Sequence, residues 1–304
     1  MPTFDIHYLG CGSATPTAYH MPSCQVMDFR GQLMMIDCGE GAQLQFKKMR
    51  LKLNRLKHIF ISHLHGDHFL GLPGLLSTMA LHDIGGTITV HTFAEGAEVL
   101  DRILGVFCRE RPYDLEYDIL EPRRATIIDN KSLTVETFPL DHRVPAVGFL
   151  FREKQGPRHI IGDMARYHDI PVSVLNDIKD GADFVRPDGR VIPNAMLTTD
   201  PSPARSYAYC SDTAYKPEIA EWISGTDTLY HESTYCDDCL AKAAARGHST
   251  ASQAGRIAAA AGAKRLVLGH YSKVYHDIEQ FAHEAASTFG GEITAAYEGL
   301  TLHL

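Results

Sequence analysis

Disulfide pairing, membrane-length apolar runs and an excess of positive charge are what this sequence lacks. Its seven cysteines are an odd number scattered along the chain, so no disulfide framework organises the fold. No charged stretch followed by an apolar core opens the sequence, and no apolar run is long enough to cross a bilayer. These features give the expectation of a soluble, cytoplasmic protein in a reducing compartment, without membrane contact. The net charge of -8 argues against indiscriminate nucleic-acid binding, so any such contact must come from a local patch. No repeat or low-complexity tract stands out. What is there is a chain of 304 residues, 44% hydrophobic, able to bury a sizeable core as one large α/β domain or two smaller ones.

The densest chemistry lies in Ser62-His63-Leu64-His65-Gly66-Asp67-His68. Neutral imidazole and ionised carboxylate are standard metal donors, and four of them within six residues point to a metal site. Residues 57–62 read as a short buried strand and the apolar stretch from residue 69 as a helix start, which places the donors at a strand-to-helix junction. An extended backbone through 63–67 would put His63, His65 and Asp67 on one face, with a helical turn beginning at Asp67 sending His68 elsewhere. One loop then feeds two metals.

Further donors follow at strand ends: His142 after the strand ending near residue 138, Asp212 after Tyr207-Ala208-Tyr209-Cys210-Ser211, and His270 after Arg265-Leu266-Val267-Leu268-Gly269. The count becomes seven, enough for two coordination spheres with open positions for water and substrate. Asp37, also at a strand end, is either a partner orienting a ligand histidine or a cap for the next helix. His248 is either a spectator beside a helix cap at Ser249 or Thr250, or a general acid whose imidazole Glu232 keeps charged. Cys236-Asp237-Asp238-Cys239 has redox or zinc spacing but no second cysteine pair, and reads as incidental. Lys47, Lys48, Arg50, Lys52, Arg55 and Lys57 fall in an acid-free run that starts on a helix expected over 41–56 and ends just beyond it, and the run is either a solvated face or a phosphate-contacting surface. A second helix is expected over 67–81.

His63-x-His65-x-Asp67-His68 with His142, Asp212 and His270 resembles the metallo-β-lactamase superfamily. Asp37-Cys38-Gly39-Glu40-Gly41, the extension of the metal loop through Gly71-Leu72-Pro73-Gly74-Leu75, His231-Glu232-Ser233-Thr234, His248-Ser249-Thr250-Ala251 and His270-Tyr271-Ser272 narrow the resemblance to the ribonuclease Z family of tRNA 3′-processing endonucleases. It spans nearly the whole chain. It implies an αβ/βα four-layer sandwich forming a single metallo-hydrolase domain over 1–304, with a substrate arm inserted at 152–205. It also implies two Zn2+ per chain: His63, His65 and His142 on one, Asp67, His68 and His270 on the other, Asp212 bridging. The implied catalytic residues are Asp67, Glu232 and His248. The implied reaction is attack of metal-activated water on the phosphodiester of a precursor tRNA, with His248 protonating the leaving ribose 3′-oxygen. Family members pair as homodimers, one subunit's arm gripping RNA cut by the other, so a homodimer is implied here.

Two departures concern substrate. Pro16-Thr17-Ala18-Tyr19-His20-Met21-Pro22 lacks both basic residues of the family's Pro-x-Lys-x-Arg-Asn loop, and Ile170-Pro171-Val172-Ser173-Val174-Leu175 stands where the arm normally carries a Gly-Pro stretch. Residues 152–190 hold seven Lys or Arg against seven Asp or Glu, so the arm is not basic in sum. These departures support a second reading, a two-metal hydrolase of small phosphodiesters or sulfate esters. A third reading, a catalytically inactive RNA-binding homologue, would show gaps among the donors, and the complete donor set argues against it.

Overall fold

The structure, a computed structural model, describes residues 2–304. In chain order its longer strands are β1 (Phe4–Gly10), β2 (Cys24–Phe29), β3 (Gln32–Ile36), β4 (Leu56–Phe60), β5 (Gly86–Thr92), β6 (Tyr113–Ile119), β7 (Ala125–Asp129), β8 (Leu133–Pro139), β9 (Val147–Glu153), β10 (Ser206–Cys210), β11 (Thr228–Glu232), β12 (Arg265–Gly269), β13 (Glu292–Ala295) and β14 (Thr301–His303). They form two seven-stranded sheets, ordered β14-β1-β2-β3-β4-β5-β6 and β13-β12-β11-β10-β9-β8-β7.

The layering follows from period-two patterning, because successive side chains of a strand point to opposite faces. In the first sheet Ile6, Tyr8, Met27, Met34, Ile36 and Phe60 join one apolar cluster, whereas Leu9, Val26, Leu33, Met35 and Ile59 join another. A sheet apolar on both faces must be covered on both. The first cluster reaches the second sheet, where Phe60 packs 5.3 Å from the rings of both Phe149 and Phe151. Phe46, Leu76, Met79 and Leu104, from helices Ala42–Lys48, Leu72–Leu81 and Ala94–Phe107, cover the outer face of the first sheet. Helix Ala251–Ala261 supplies Ala254, Ile257 and Ala258 to the cluster around the second sheet. Its start carries a full capping box between Thr250 and Gln253, so Thr250 is the N-cap. The result is the four-layer α/β sandwich the resemblance implies.

Two expected helices are shorter than their patterns. The first stops at Lys48: Arg50 takes a left-handed φ of 57°, which ends helical propagation, and only a 3-10 turn, Leu53–Arg55, follows. The second is broken into Gly66–Phe69 and Leu72–Leu81. Gly71 lies against the backbone of the Asp37–Gly41 loop: its N–H donates to the Cys38 carbonyl at 2.9 Å, and a β-carbon there would sit 2.0 Å from the Gly39 oxygen. Apolar spacing alone does not register such a backbone contact.

Between β9 and β10 the chain builds a small unit with its own apolar cluster of Ile178, Phe184, Ile192 and Leu197. Strand His159–Ile160 pairs with Thr198–Thr199 at its base, and Arg158 bonds Asp200 there at 2.7 Å.

Candidate metal centre

The seven donors meet at one edge of the sandwich. β10, β11 and β12 run parallel, so their C-terminal ends bring Asp212, Glu232 and His270 to the same side. β9 is antiparallel to β10 and β8 to β9, which returns the loop carrying His142 to that edge. The loop after β4 delivers His63, His65, Asp67 and His68 from the facing sheet.

Two groups of donor atoms hold all seven, each with its members within 4.8 Å of one another: His63, His65, His142 and Asp212 in one, Asp67, His68 and His270 in the other; a third group overlaps both, Asp212 and His270 with His248. In the first, His65 Nδ1 lies 3.1 Å from His63 Nε2 and 3.2 Å from His142 Nε2. In the second, His68 Nε2 lies 3.3 Å from His270 Nε2, and Asp67 Oδ2 lies 3.6 and 3.4 Å from those two nitrogens. Asp212 faces both. Its Oδ2 is 3.6 Å from His63 Nε2 and 3.8 Å from His142 Nε2, and its Oδ1 is 3.4 Å from His68 Nε2 and 3.2 Å from His270 Nε2. Bonds of about 2.0–2.2 Å to a shared tetrahedral cation space the donors about 3.3–3.6 Å apart. The observed separations, 3.1–3.8 Å, bracket that range.

The grouping corrects one expectation. The helix starts at Gly66 with His65 as its N-cap, so Asp67 is not on an extended face with His63 and His65. It turns instead toward His68 and His270, where the Ala14 N–H donates to Asp67 Oδ2 at 2.6 Å.

Hydrogen bonding and charge fit a cation. Asp212 Oδ1 is buried without a hydrogen-bond donor, a costly state for a carboxylate oxygen unless a positive charge occupies the space before it. Burial holds His63 well below the usual histidine range, and the neighbouring imidazoles push it further, so it is neutral and able to ligate. His142, also lowered mainly by burial, places Nδ1 2.8 Å from the Gly247 carbonyl. A carbonyl only accepts, so Nδ1 carries the proton and the Nε2 lone pair faces the group. A β-carbon on Gly247, whose φ is 71°, would come 2.9 Å from that Nδ1, and this loop therefore needs glycine. At His68, burial opposes protonation but the Asp212, Asp37 and Asp67 carboxylates outweigh it, raising the imidazole to about 10. Without a cation, His68 carries the positive charge that these carboxylates demand, and metal binding there releases a proton. This set of imidazoles and carboxylates can bind a divalent metal.

The surrounding groups settle several open choices. Asp37 does not cap the following helix, whose N-cap is Gly41. Its Oδ2 takes bonds from His68 Nδ1 at 2.8 Å, Tyr209 OH at 2.6 Å and Ser62 Oγ at 2.8 Å, so it orients a donor histidine. Asp37 and His270 adopt left-handed φ values of 56° and 62°, unusual conformations held by the packed site. Glu232 is fully buried, accepting at Oε1 from the N–H groups of Thr213 and Ser249 and at Oε2 from the N–H and hydroxyl of Thr234. His248 Nδ1 lies 3.0 Å from Glu232 Oε1. Burial works against both charges, yet the pair favours them: His248 is pushed up to about 9 and Glu232 down to about 2. His248 is thus paired with Glu232 rather than free beside the helix cap. Its ring also comes near Asp212 and His270, but its Nδ1 is committed to Glu232.

The donors open on a cleft of about 680 Å³ whose wall includes Thr15, Pro16, Glu40, Arg143, Arg246 and Lys273. None of the six cations between Lys47 and Lys57 lines it. Arg55 pairs with Asp28, while Lys47 and Arg50 border a separate, largely apolar hollow beside Leu44, Phe46 and Leu51. Cys236 and Cys239 are free thiols, and no cysteine joins a metal-sized donor group among the described residues. The sequence reading missed Tyr209, Arg143, Arg246 and the backbone groups of Ala14 and Gly247. Backbone groups leave no residue-type signal, and isolated arginines do not stand out as a run does, although Arg143 and Arg246 adjoin His142 and Gly247.

Comparison with known proteins gives concordant results. A family model described as a beta-lactamase superfamily domain matches residues 188–271, and one described as anti-Pycsar protein Apyc1 matches residues 4–99. The chain is 46% identical over 303 residues to a ribonuclease Z of Parabacteroides distasonis, covering 99% of both chains. It is 49% identical over 297 residues to a ribonuclease Z of Porphyromonas gingivalis, covering 97% of both. Among solved structures it is similar to the short form of human tRNase Z, with a TM-score of 0.70 and 25% identity over 98% of both chains.

Proposed function

The chain belongs to the ribonuclease Z family, and from that premise we propose how its residues remove the 3′ trailer of a tRNA precursor. It is a metal-dependent endoribonuclease. The observation that carries the mechanism is Asp212, whose two oxygens face two separate sets of three donors. His63, His65 and His142 would hold one metal and Asp67, His68 and His270 the other, with Asp212 shared. The donor chemistry suits zinc, two per chain, since imidazole and carboxylate donors that leave positions open are typical of catalytic zinc. When bound, the metals supply a water whose pKa falls from 15.7 to roughly 7, together with positive charge beside the phosphate oxygens.

The protein's own groups do the rest. Asp37, anchored by Ser62 and Tyr209, fixes the His68 ring. Gly247 fixes the tautomer of His142. Asp67, steadied by the Ala14 N–H, keeps its carboxylate at the reacting edge. Glu232 holds His248 charged at the cleft, where it gives a proton to the departing ribose 3′-oxygen; a proton donor so placed is typically worth 10²–10⁴ in rate.

We also propose a single metallo-hydrolase domain with residues 152–205 as the substrate arm, a homodimer as the working unit, and a cytoplasmic location. The separate apolar cluster of the 152–205 segment supports the arm, and seven free thiols, six of them buried, suit a reducing compartment. The deciding assay uses pure zinc-loaded protein and a 3′-extended precursor tRNA. A cut 3′ of the discriminator nucleotide, leaving a 3′-hydroxyl, is expected. No cut there, with a small aryl phosphodiester still hydrolysed, would overturn the RNA assignment in favour of a small-ester hydrolase.

A further inference from the structure

Arg143 and Arg246 stand out once the cleft is mapped. Arg143 directly follows His142, Arg246 directly precedes Gly247, and the 2.8 Å bond from His142 Nδ1 to the Gly247 carbonyl ties these two loops together. Both arginines are exposed and both line the metal cleft. They are the cleft's only arginines among the described residues, while Arg30 and Arg205 pair with Glu153, Arg55 with Asp28 and Arg158 with Asp200. Among the described residues no ion pair or hydrogen bond engages the side chain of Arg143 or Arg246. In a chain of net charge -8, two uncommitted guanidinium groups beside one donor histidine form a local anion-attracting surface.

We propose that Arg143 and Arg246 form a phosphate subsite beside the metal centre, which takes a nucleotide phosphate adjacent to the one being cut. The proposal rests on the RNA-cutting reading above and deepens it. A guanidinium presents a planar fork of N–H donors that matches two phosphate oxygens at once, a geometry that neither the metals nor His248 provides. With backbones that adjoin His142 and Gly247, the pair is tethered at the cleft beside the reacting phosphate and biases the register of the strand as well as its affinity. The loop at 16–22 carries no lysine or arginine, and the basic run at 47–57 lies off the cleft, so this pair with Lys273 supplies the cleft's lysine and arginine contacts.

The test compares parent protein, Arg143→Ala/Arg246→Ala and Arg143→Lys/Arg246→Lys, all zinc-loaded, on a 3′-extended precursor tRNA and on bis(p-nitrophenyl) phosphate, over a series of salt concentrations. For the alanine pair, KM for the RNA should rise at least about tenfold near physiological salt, and the slope of log affinity against log salt should flatten by about 1.4 to 2, the value of two lost phosphate contacts. Its kcat on the small diester, which has no adjacent phosphate, should fall several-fold less than its RNA efficiency. The lysine pair should recover part of the salt slope. An alanine pair with the parent's RNA KM and salt slope overturns the subsite, and so does a lysine pair no better than the alanine pair, because the loss then comes from loop shape. A parent that leaves the RNA uncut while hydrolysing the diester overturns the RNA reading itself, a distinct failure.

Discussion

Two buried carboxylates hold two imidazoles in this site, and comparing them shows how one pairing serves two purposes. Asp37 and Glu232 are both fully enclosed, both saturated by hydrogen bonds, and each contacts a histidine Nδ1, at 2.8 Å for His68 and 3.0 Å for His248. The difference lies at the other end of the ring. His68 Nε2 points among Asp67, Asp212 and His270, a nest of donors with a buried oxygen lacking any partner. The hydrogen bonds of the His248 ring all run through Nδ1, and the ring borders the open cleft. A carboxylate behind an imidazole therefore makes it a better metal ligand or a longer-lived proton donor, according to what the second nitrogen meets.

Substitutions can break that comparison at either end. The largest effect is expected from Asp212→Ala, which removes the oxygens shared by both donor groups. Metal content should fall below two per chain by elemental analysis, and RNA cleavage should fall by more than the 10²–10⁴ typical of losing a proton donor. Next comes His248→Ala, with cleavage at saturating RNA slowed about 10²–10⁴-fold and metal content at the parent level. A rate close to the parent's would remove His248 from the proton transfer. Asp37→Asn should weaken metal binding by about 10–100-fold in a competition titration with a chelator, the range for partners that orient a ligand. If metal affinity held while cleavage fell, Asp37 would belong with Glu232 rather than opposite it.

Smaller in rate but sharper in diagnosis is the pH profile. The role proposed for His248 requires its protonated form, which is favoured up to about 9 because the Glu232 charge outweighs the cost of burial. Activity that depends on that proton is full below this value and declines as pH rises through it. Glu232→Gln removes the charge, so the alkaline limb of kcat/KM should move toward the ordinary histidine value near 6.5. An alkaline limb at the same pH in both proteins would separate Glu232 from the proton donor.

Much of this architecture was legible in the residues. Alternating apolar positions in β1 and the donor-rich loop after β4 announced a strand and a metal site, because side-chain period and donor chemistry are carried by residue type. Less legible was anything decided by backbone geometry. The break at Gly71 arises from contact with the Gly39 carbonyl, a residue 32 positions away, and the helix after Gly41 stops at a left-handed Arg50 that no periodicity marks. Asp67 illustrates the same limit: moving the helix start from Asp67 to Gly66 sends its carboxylate to the other donor group. The role of the basic run at 47–57 was left open between a solvated face and a phosphate contact for a related reason. Charge density along a sequence does not say which edge of a sheet the charges will occupy, and here isolated arginines beside the donors line the cleft instead.

The central claim is that Asp212 joins two cations held by six further side chains. Anomalous diffraction at the zinc edge from crystals of the metal-loaded protein tests it most directly. The account predicts two peaks about 3.5–4 Å apart, one among His63, His65 and His142 and the other among Asp67, His68 and His270, with one Asp212 oxygen about 2.0–2.2 Å from each. A single peak, or two peaks of which Asp212 touches only one, would contradict it.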